Sequence, residues 1–273
     1  MSEAKLIAQT NYPLTAQSLT EKLQMCGLHS GQTVLVHMAM SQLGWVVGGA
    51  EAVILAFLDL LGPTGTLMMP THTTSNTDPA EWQHPPIPQP WWQLVRDHTP
   101  AYNPATTPTR LMGAVPELLR TWPGALRSSH PVTSFAAIGP HAEHLISDHI
   151  LEEDTGEHSP VGRLYDLDGD VLLLGVTHWN NTSLHLAEAR AHYPGKRTIR
   201  SGTAMLIAGA RQWVEYETLK TYGDDFGEIG QAFDAAHHIE VKQIAQAEVR
   251  FFKQRAVVDF AVAWMEQHRD LRD

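Results

Sequence analysis

The run Val171-Leu172-Leu173-Leu174-Gly175-Val176 is apolar without alternation. A strand with one wet face alternates polar and apolar residues, so a strand made from this run is covered on both faces. Helices packed on the two sides of a mostly parallel sheet are the usual cover. The N-terminal third has the matching pattern. Leu14 to Met25 carries helical periodicity, with Thr15 or Ser18 placed to cap it. Thr33 to His37 reads as a buried strand, Gly48 to Leu61 as an apolar helix stopped by Gly62-Pro63, and Thr66 to Pro70 as the next strand. Strand, helix, strand at this spacing gives parallel neighbours through a right-handed crossover.

Further along, Met112 to Trp122 and His141 to Ile150 read as helices, and Ser134 to Ile138 as a strand. A helix is expected from Thr182 or Ser183 to about His192, then a hairpin of Thr203–Ala208 with Gln212–Glu217. Val241 to His268 reads as mostly helix. Thr71 to Pro108 has no periodicity and is rich in Pro, Trp, His and Thr. A stretch this long without regular structure is usually functional, and exposing Trp82, Trp91 and Trp92 would be costly, so it is expected to form a pocket wall. The expectation is one α/β domain over residues 1–273: a central, mostly parallel sheet flanked by helices, with an irregular Trp/Pro-rich insertion.

Composition narrows the function. Thirty acidic side chains against 19 basic ones give a net charge of −11. That balance argues against a nucleic-acid or anionic-membrane surface, both of which need clustered Lys and Arg. It suits a cationic small molecule, and it is also the ordinary state of a cytosolic protein. The single cysteine, Cys26, excludes an internal disulfide, and its place before Gly27 at a helix end reads as a buried helix residue rather than a nucleophile. With neither a secretory signal pattern nor an apolar run of ~20 residues, the expected location is cytoplasmic, with no membrane partner.

Sixteen histidines require a test for metal ligation. There is no HExxH, and His141-Ala142-Glu143-His144 lacks the zincin order, so no metal is expected. The serine-hydrolase elbow GxSxG, the P-loop and GxGxxG are also absent. What remains is a set of polar residues at strand ends, where open α/β sheets bind ligands. His37 follows one strand, His72 another, and Asn181-Thr182-Ser183-Leu184-His185-Leu186-Ala187-Glu188 follows the apolar run. His185 and Glu188 are i and i+3 on one helix face, the arrangement of an oriented general base, although a satisfied core histidine is the commoner fate of any single His.

Several segments together resemble the aminoglycoside 3-N-acetyltransferase family, acetyl-CoA-dependent enzymes outside the common GNAT fold. They are Val34 to Gly44, Met69-Pro70-Thr71-His72, Thr107 to Gly113, Arg127 to Gly139, Ser159-Pro160 with Gly162, Leu172 to Val176, and Asn181 to Glu188. They stand in the family's order across roughly residues 15 to 230. One departure is Met38, where the family often has a small residue, so backbone contact with the donor is expected there.

The resemblance implies transfer of acetyl from acetyl-CoA to the 3-amino group of a deoxystreptamine ring. His185 would be the base, with Glu188 orienting it or touching a substrate ammonium, and His37 would stand beside the reacting centre. Glu117 is the alternative carboxylate partner. The acetyl-CoA contacts are expected from His37, Met38, Ala39, Met40, Ser41 and Gly44, from Ser128, Ser129 and Thr133, and from Thr107, Thr109 and Arg110, the last as a phosphate partner. Turn formation around Pro108 competes for the threonines. A polycationic substrate calls for carboxylates without cations. Asp78, Glu81, Asp154, Asp224, Asp225 and Glu228 are the candidates, with His72 and Trp82 beside them. Another amine as acceptor, and a non-catalytic binding protein on the same fold, are the competing readings. The sequence leaves the oligomeric state, a homodimer included, open.

Overall fold

The computed structural model describes residues 3–272. Helices α1 (Glu3–Ala8) and α2 (Ala16–Met25) lead into β1 (Thr33–Met38), α3 (Gly49–Leu61) and β2 (Thr66–Pro70). After the insertion, which contains α4 (Trp92–His98), come α5 (Ala114–Leu119), β3 (Leu126–Arg127), β4 (Phe135–Ile138), α6 (Ala142–Ile146) and α7 (Pro160–Asp166). Next are β5 (Asp170–Leu174), α8 (Ser183–Arg190), β6 (Thr198–Ile207), β7 (Ala210–Leu219) and α9 (Phe226–Ala236). The chain finishes with β8 (Lys242–Ile244), β9 (Ala247–Lys253) and α10 (Gln254–His268).

The central sheet has the order β3-β4-β2-β1-β5-β9-β8. Its core, β2-β1-β5, is parallel, as the strand–helix–strand pattern requires. Antiparallel pairs extend it on both sides, β4 against β2 and β9 against β5. Both faces are covered. On β1, Val34 and Val36 face a core shared with α2 and α3, while Leu35 faces the core under α8, α9 and α10. β5 divides likewise, Leu172 and Leu174 to one side, Val171 and Leu173 to the other. The non-alternating run is thus one strand at the middle of three layers.

The local signals act together at α2. Thr15 is its N-cap and Ser18 returns the bond to the Thr15 N–H, so both expected caps form one reciprocal box. Cys26 is buried at the end of that helix. The main correction is at the C-terminus. Lys242–Lys253 is not helix but a hairpin that covers the open edge of β5. Ala247, Val249 and Phe251 face one core and Phe252 the other, a period of two that ends where α10 begins. The expected hairpin is longer than the sequence suggested, running over Thr198–Leu219, and it turns at Ala208 and Gly209, both with positive φ. The expected helices over 112–122 and 141–150 shrink to α5 and α6, and left-handed Asp148 lies just past the end of α6. No helix among the described residues is long and apolar enough to cross a membrane.

The insertion is tied down by polar contacts rather than by a core of its own. Arg96 of α4 forms a forked pair with Asp78, and Arg211 at the tip of the β6–β7 hairpin bonds the Thr99 carbonyl at 2.9 Å. Its tryptophans line neither of the two cavities described below. Trp91 is exposed, and Trp82 donates its indole N–H to Thr77 within the insertion at 2.9 Å.

Candidate active site

The carboxyl ends of β1, β2 and β5 open into a cavity of about 240 Å³. His37 and Met38 come from β1, Pro70 and His72 from the end of β2, and Val176 and Trp179 to Thr182 from the loop after β5. α8 adds His185, α9 adds Phe226, and the strap before α5 adds Leu111 and Met112. The strand-end histidines are thus brought together, as the topology of a parallel sheet requires.

His185 Nδ1 lies 2.9 Å from Glu188 Oε2, and the Glu188 side chain is fully buried. A buried carboxylate needs its charge met. The other oxygen, Oε1, accepts from Arg269 Nη1 at 2.8 Å and from the Tyr222 N–H at 2.5 Å. Arg269, just past α10, also pairs with Asp225 and is itself buried. His185, Glu188 and Arg269 therefore form a chain from cavity to core. Phe226 packs beside the His185 ring at 4.7 Å. Arg269 was not foreseen, since only tertiary structure brings it to a residue so far away in the chain.

His37 is buried, and its Nε2 accepts the Thr182 N–H at 3.4 Å. Burial first, then His72 and His185 nearby, lowers its imidazole to about 3. His72 is lowered to about 3 as well, by burial and then by His185, and its buried Nε2 has no hydrogen-bond partner. Both rings are therefore uncharged at neutral pH.

A second cavity, of about 260 Å³, opens one helical turn away along α8, at Ala189. Glu152, Glu153, Asp154 and Glu157 line it with Lys196 and Thr218. Glu157 is committed to Arg190 and Glu153 to His158, which leaves Glu152 and Asp154 without an Arg or Lys partner among the described residues. Asp154 is held by His130 Nε2 at 3.1 Å and by the Thr218 hydroxyl at 3.2 Å. The proton of His130 sits on Nε2 because its Nδ1 accepts the Val132 and Thr133 N–H groups.

The remaining expectations divide. Ala39 continues the β1 ladder by donating to the Leu174 carbonyl, Met38 and Met40 pack partly against the core, and Ser41 is exposed. Gly44 lies away from the histidines, where a Cβ would come within 2.8 Å of Thr10 Oγ1. Ser128 is buried, its hydroxyl accepting from Phe135 N–H and bonding His149 Nδ1, so it is a fixed part of the scaffold. Thr133 bonds His130 and the Asp154 carbonyl, and Ser129 is exposed; neither lines the histidine cavity. Thr107 closes the turn by accepting from Asn103 N–H, and Thr109 N–H donates to Glu117, which also pairs with Arg120. Glu117 is thereby spoken for, so Glu188 is the partner of His185. The Arg110 N–H donates to the His72 carbonyl at 2.9 Å, which places that residue at the cavity's edge.

Among the acids, the charge of Asp78 is spent on Arg96 and that of Asp225 on Arg269. Glu81, Asp224 and Glu228 are exposed and line neither cavity. Of the acids expected at the substrate, only Asp154 faces the acidic cavity, and Glu152, Glu153 and Glu157 were missed.

Residues 35–266 match the family model for aminoglycoside 3-N-acetyltransferases. An aminoglycoside N(3')-acetyltransferase-like protein of Bacillus subtilis strain 168, YokD, is 43% identical over 95% of each chain. The crystal structure of YokD superimposes with a TM-score of 0.94, covering 99% of this chain and all of that one. Aminoglycoside N(3)-acetyltransferase VIII of Streptomyces fradiae is 39% identical, covering 97% of this chain and 96% of its own. A structure of AAC-IIIb binary with CoASH, 30% identical, has a TM-score of 0.84 over 96% of this chain and all of that one. The fold, the strand-end histidines and these matches across nearly the whole chain agree: it belongs to the aminoglycoside 3-N-acetyltransferase family of acyltransferases.

Proposed function

We propose that the protein moves the acetyl group of acetyl-CoA onto the 3-amino group of a 2-deoxystreptamine aminoglycoside, with His185 as general base. The observation that carries this is the His185–Glu188–Arg269 chain, which ends at His185 in the lining of the histidine cavity. Only the free amine attacks a thioester. His185 takes the ammonium proton while Glu188 holds the ring and stabilises the imidazolium, an effect worth ~10²–10⁴ in rate. A C–N bond forms as the C–S bond breaks; His185 passes the proton it took to the departing sulfur, and the nitrogen's second surplus proton leaves to solvent. Uncharged His37 and His72 stand beside the reacting carbon and can orient or polarise without adding positive charge beside an ammonium.

The histidine cavity has no Asp, Glu, Lys or Arg in its lining, and it suits the neutral arm of the acetyl donor. Arg110 at its edge is the phosphate partner in this reading. The acidic cavity suits the ammonium groups of the acceptor, with Asp154 and Glu152 as the carboxylates that have no Arg or Lys partner among the described residues. CoA bound to AAC-IIIb supports the donor. A cytoplasmic location is part of this proposal; a single cysteine leaves no internal disulfide that would call for an oxidising compartment.

The test is thiol release from acetyl-CoA with a panel of deoxystreptamine antibiotics and simpler amino sugars, with the acetylated nitrogen located by NMR. Turnover on the antibiotics at N3 is expected. Turnover confined to the simpler amines would move the protein to another acceptor within the same chemistry.

A further inference from the structure

We propose that Leu111 and Trp179 form an apolar clamp for the pantetheine arm of the acetyl donor, an inference that rests on the acetyl-transfer reading above. Leu111 is 89% exposed, yet its backbone sits at φ +60°. That left-handed region crowds any L side chain with a Cβ, and leucine lacks the local hydrogen bonds that let Asn or Asp enter it. The strap cannot relax, because hydrogen bonds fix it just upstream. Thr109 N–H donates to Glu117 at 2.7 Å and Arg110 N–H to the His72 carbonyl at 2.9 Å. A leucine held in water by a strained backbone gains nothing in the free protein. Strain of this kind persists where a ligand uses it.

Trp179 is the matching jaw. It is 57% exposed, and its indole rests on the bare backbone of α9, where a Cβ on Gly227 would come within 2.5 Å of Nε1. Both side chains line the histidine cavity, Leu111 from the β2 side and Trp179 from the β5 side, with β1 between them.

The chemistry of the surroundings selects the occupant. The lining has no Asp or Glu, so it offers no carboxylate to a polycation. Arg110, next to Leu111, makes no ion pair among the described residues, while its backbone is tied to His72. A ligand with a thioester at His185, a neutral chain of methylenes and amides beyond it, and phosphates further out meets these features in that order. Acetyl-CoA has that layout, and the aminoglycoside does not.

Leu111→Gly removes the apolar jaw and relieves the positive-φ strain at once, and its melting temperature separates a binding loss from a folding one. Its KM for acetyl-CoA should rise about tenfold, with a matching rise in the Kd for CoA by calorimetry. Its aminoglycoside KM and its kcat at saturating donor should stay within about threefold, and its melting temperature should not fall. Trp179→Ala should behave likewise, and Trp179→Phe should recover most of the donor affinity. Unchanged donor KM and Kd in Leu111→Gly, or a rise in the aminoglycoside KM instead, overturns the clamp. A wild-type protein that binds no acetyl-CoA overturns the acetyl-transfer reading first, and the clamp with it.

Discussion

Glu188 Oε2 meets His185 Nδ1 at 2.9 Å, from a side chain with no solvent exposure on a ring that is 27% exposed. The pair is therefore asymmetric: the imidazole reaches the cavity and the carboxylate does not. His185→Ala should lower kcat by ~10²-fold or more with acetyl-CoA affinity nearly intact. The loss should shrink at high pH, where free amine is abundant. Stopped-assay kcat against pH on folded variant is the measurement, and full activity at neutral pH would remove the base assignment.

Arg269 and Glu188 test the other end of the chain. Arg269→Met leaves a buried anion without its cation and should cost about 3–5 kcal/mol in urea unfolding. Adding Glu188→Gln to it should restore part of that stability but not the activity, because His185 loses its charged partner. A double variant as unstable as Arg269→Met alone would show that the charge is not the source of the loss.

The two depressed histidines fix a pH dependence of folding. His37 and His72 take a proton only near pH 3 when folded, against about 6.5 when unfolded. Between those values the unfolded chain binds more protons, so stability rises with pH and falls as the solution is acidified below about 6.5. The slope should reach about 1.4 kcal/mol per pH unit for each ring. Urea midpoints from pH 7 to 4 should show it, and His72→Asn should flatten the curve.

Asp154 is the acid at which acceptor affinity should be most sensitive. Asp154→Asn keeps an acceptor oxygen for His130 but removes the charge, so the aminoglycoside KM should rise about tenfold or more while the acetyl-CoA KM holds. Added salt should narrow the gap between variant and wild type. Equal KM values at low salt would send the ammonium contacts elsewhere.

Local signals made much of this molecule legible. The apolar run of β5, the capping pair Thr15 and Ser18, and the i, i+3 spacing of His185 and Glu188 each depend on residues close in sequence. The C-terminal hairpin was misread because Lys242–Lys253 mixes charges with apolar residues, and its period of two shows only against two cores. α9 was missed because Gly223, Gly227 and Gly230 look like loop. In the fold Gly227 and Gly230 are bare because Trp179 and His178 press against them. Two of the acids, Asp78 and Asp225, illustrate what local signals leave out. Whether Asp78 or Asp225 has a cation beside it is decided by Arg96 and Arg269, which only the fold brings near.

Arg269 has a consequence for how the enzyme comes into being. Its guanidinium completes the Glu188 site from 81 positions downstream, beyond the last helix. A nascent chain can build the parallel core, the histidine cavity and α8 while still tethered to the ribosome. Throughout that time Glu188 lacks its cation, and the partner of His185 is not yet fixed. A cut just before Arg269 should therefore leave the histidine cavity in place while removing the cation that Glu188 meets.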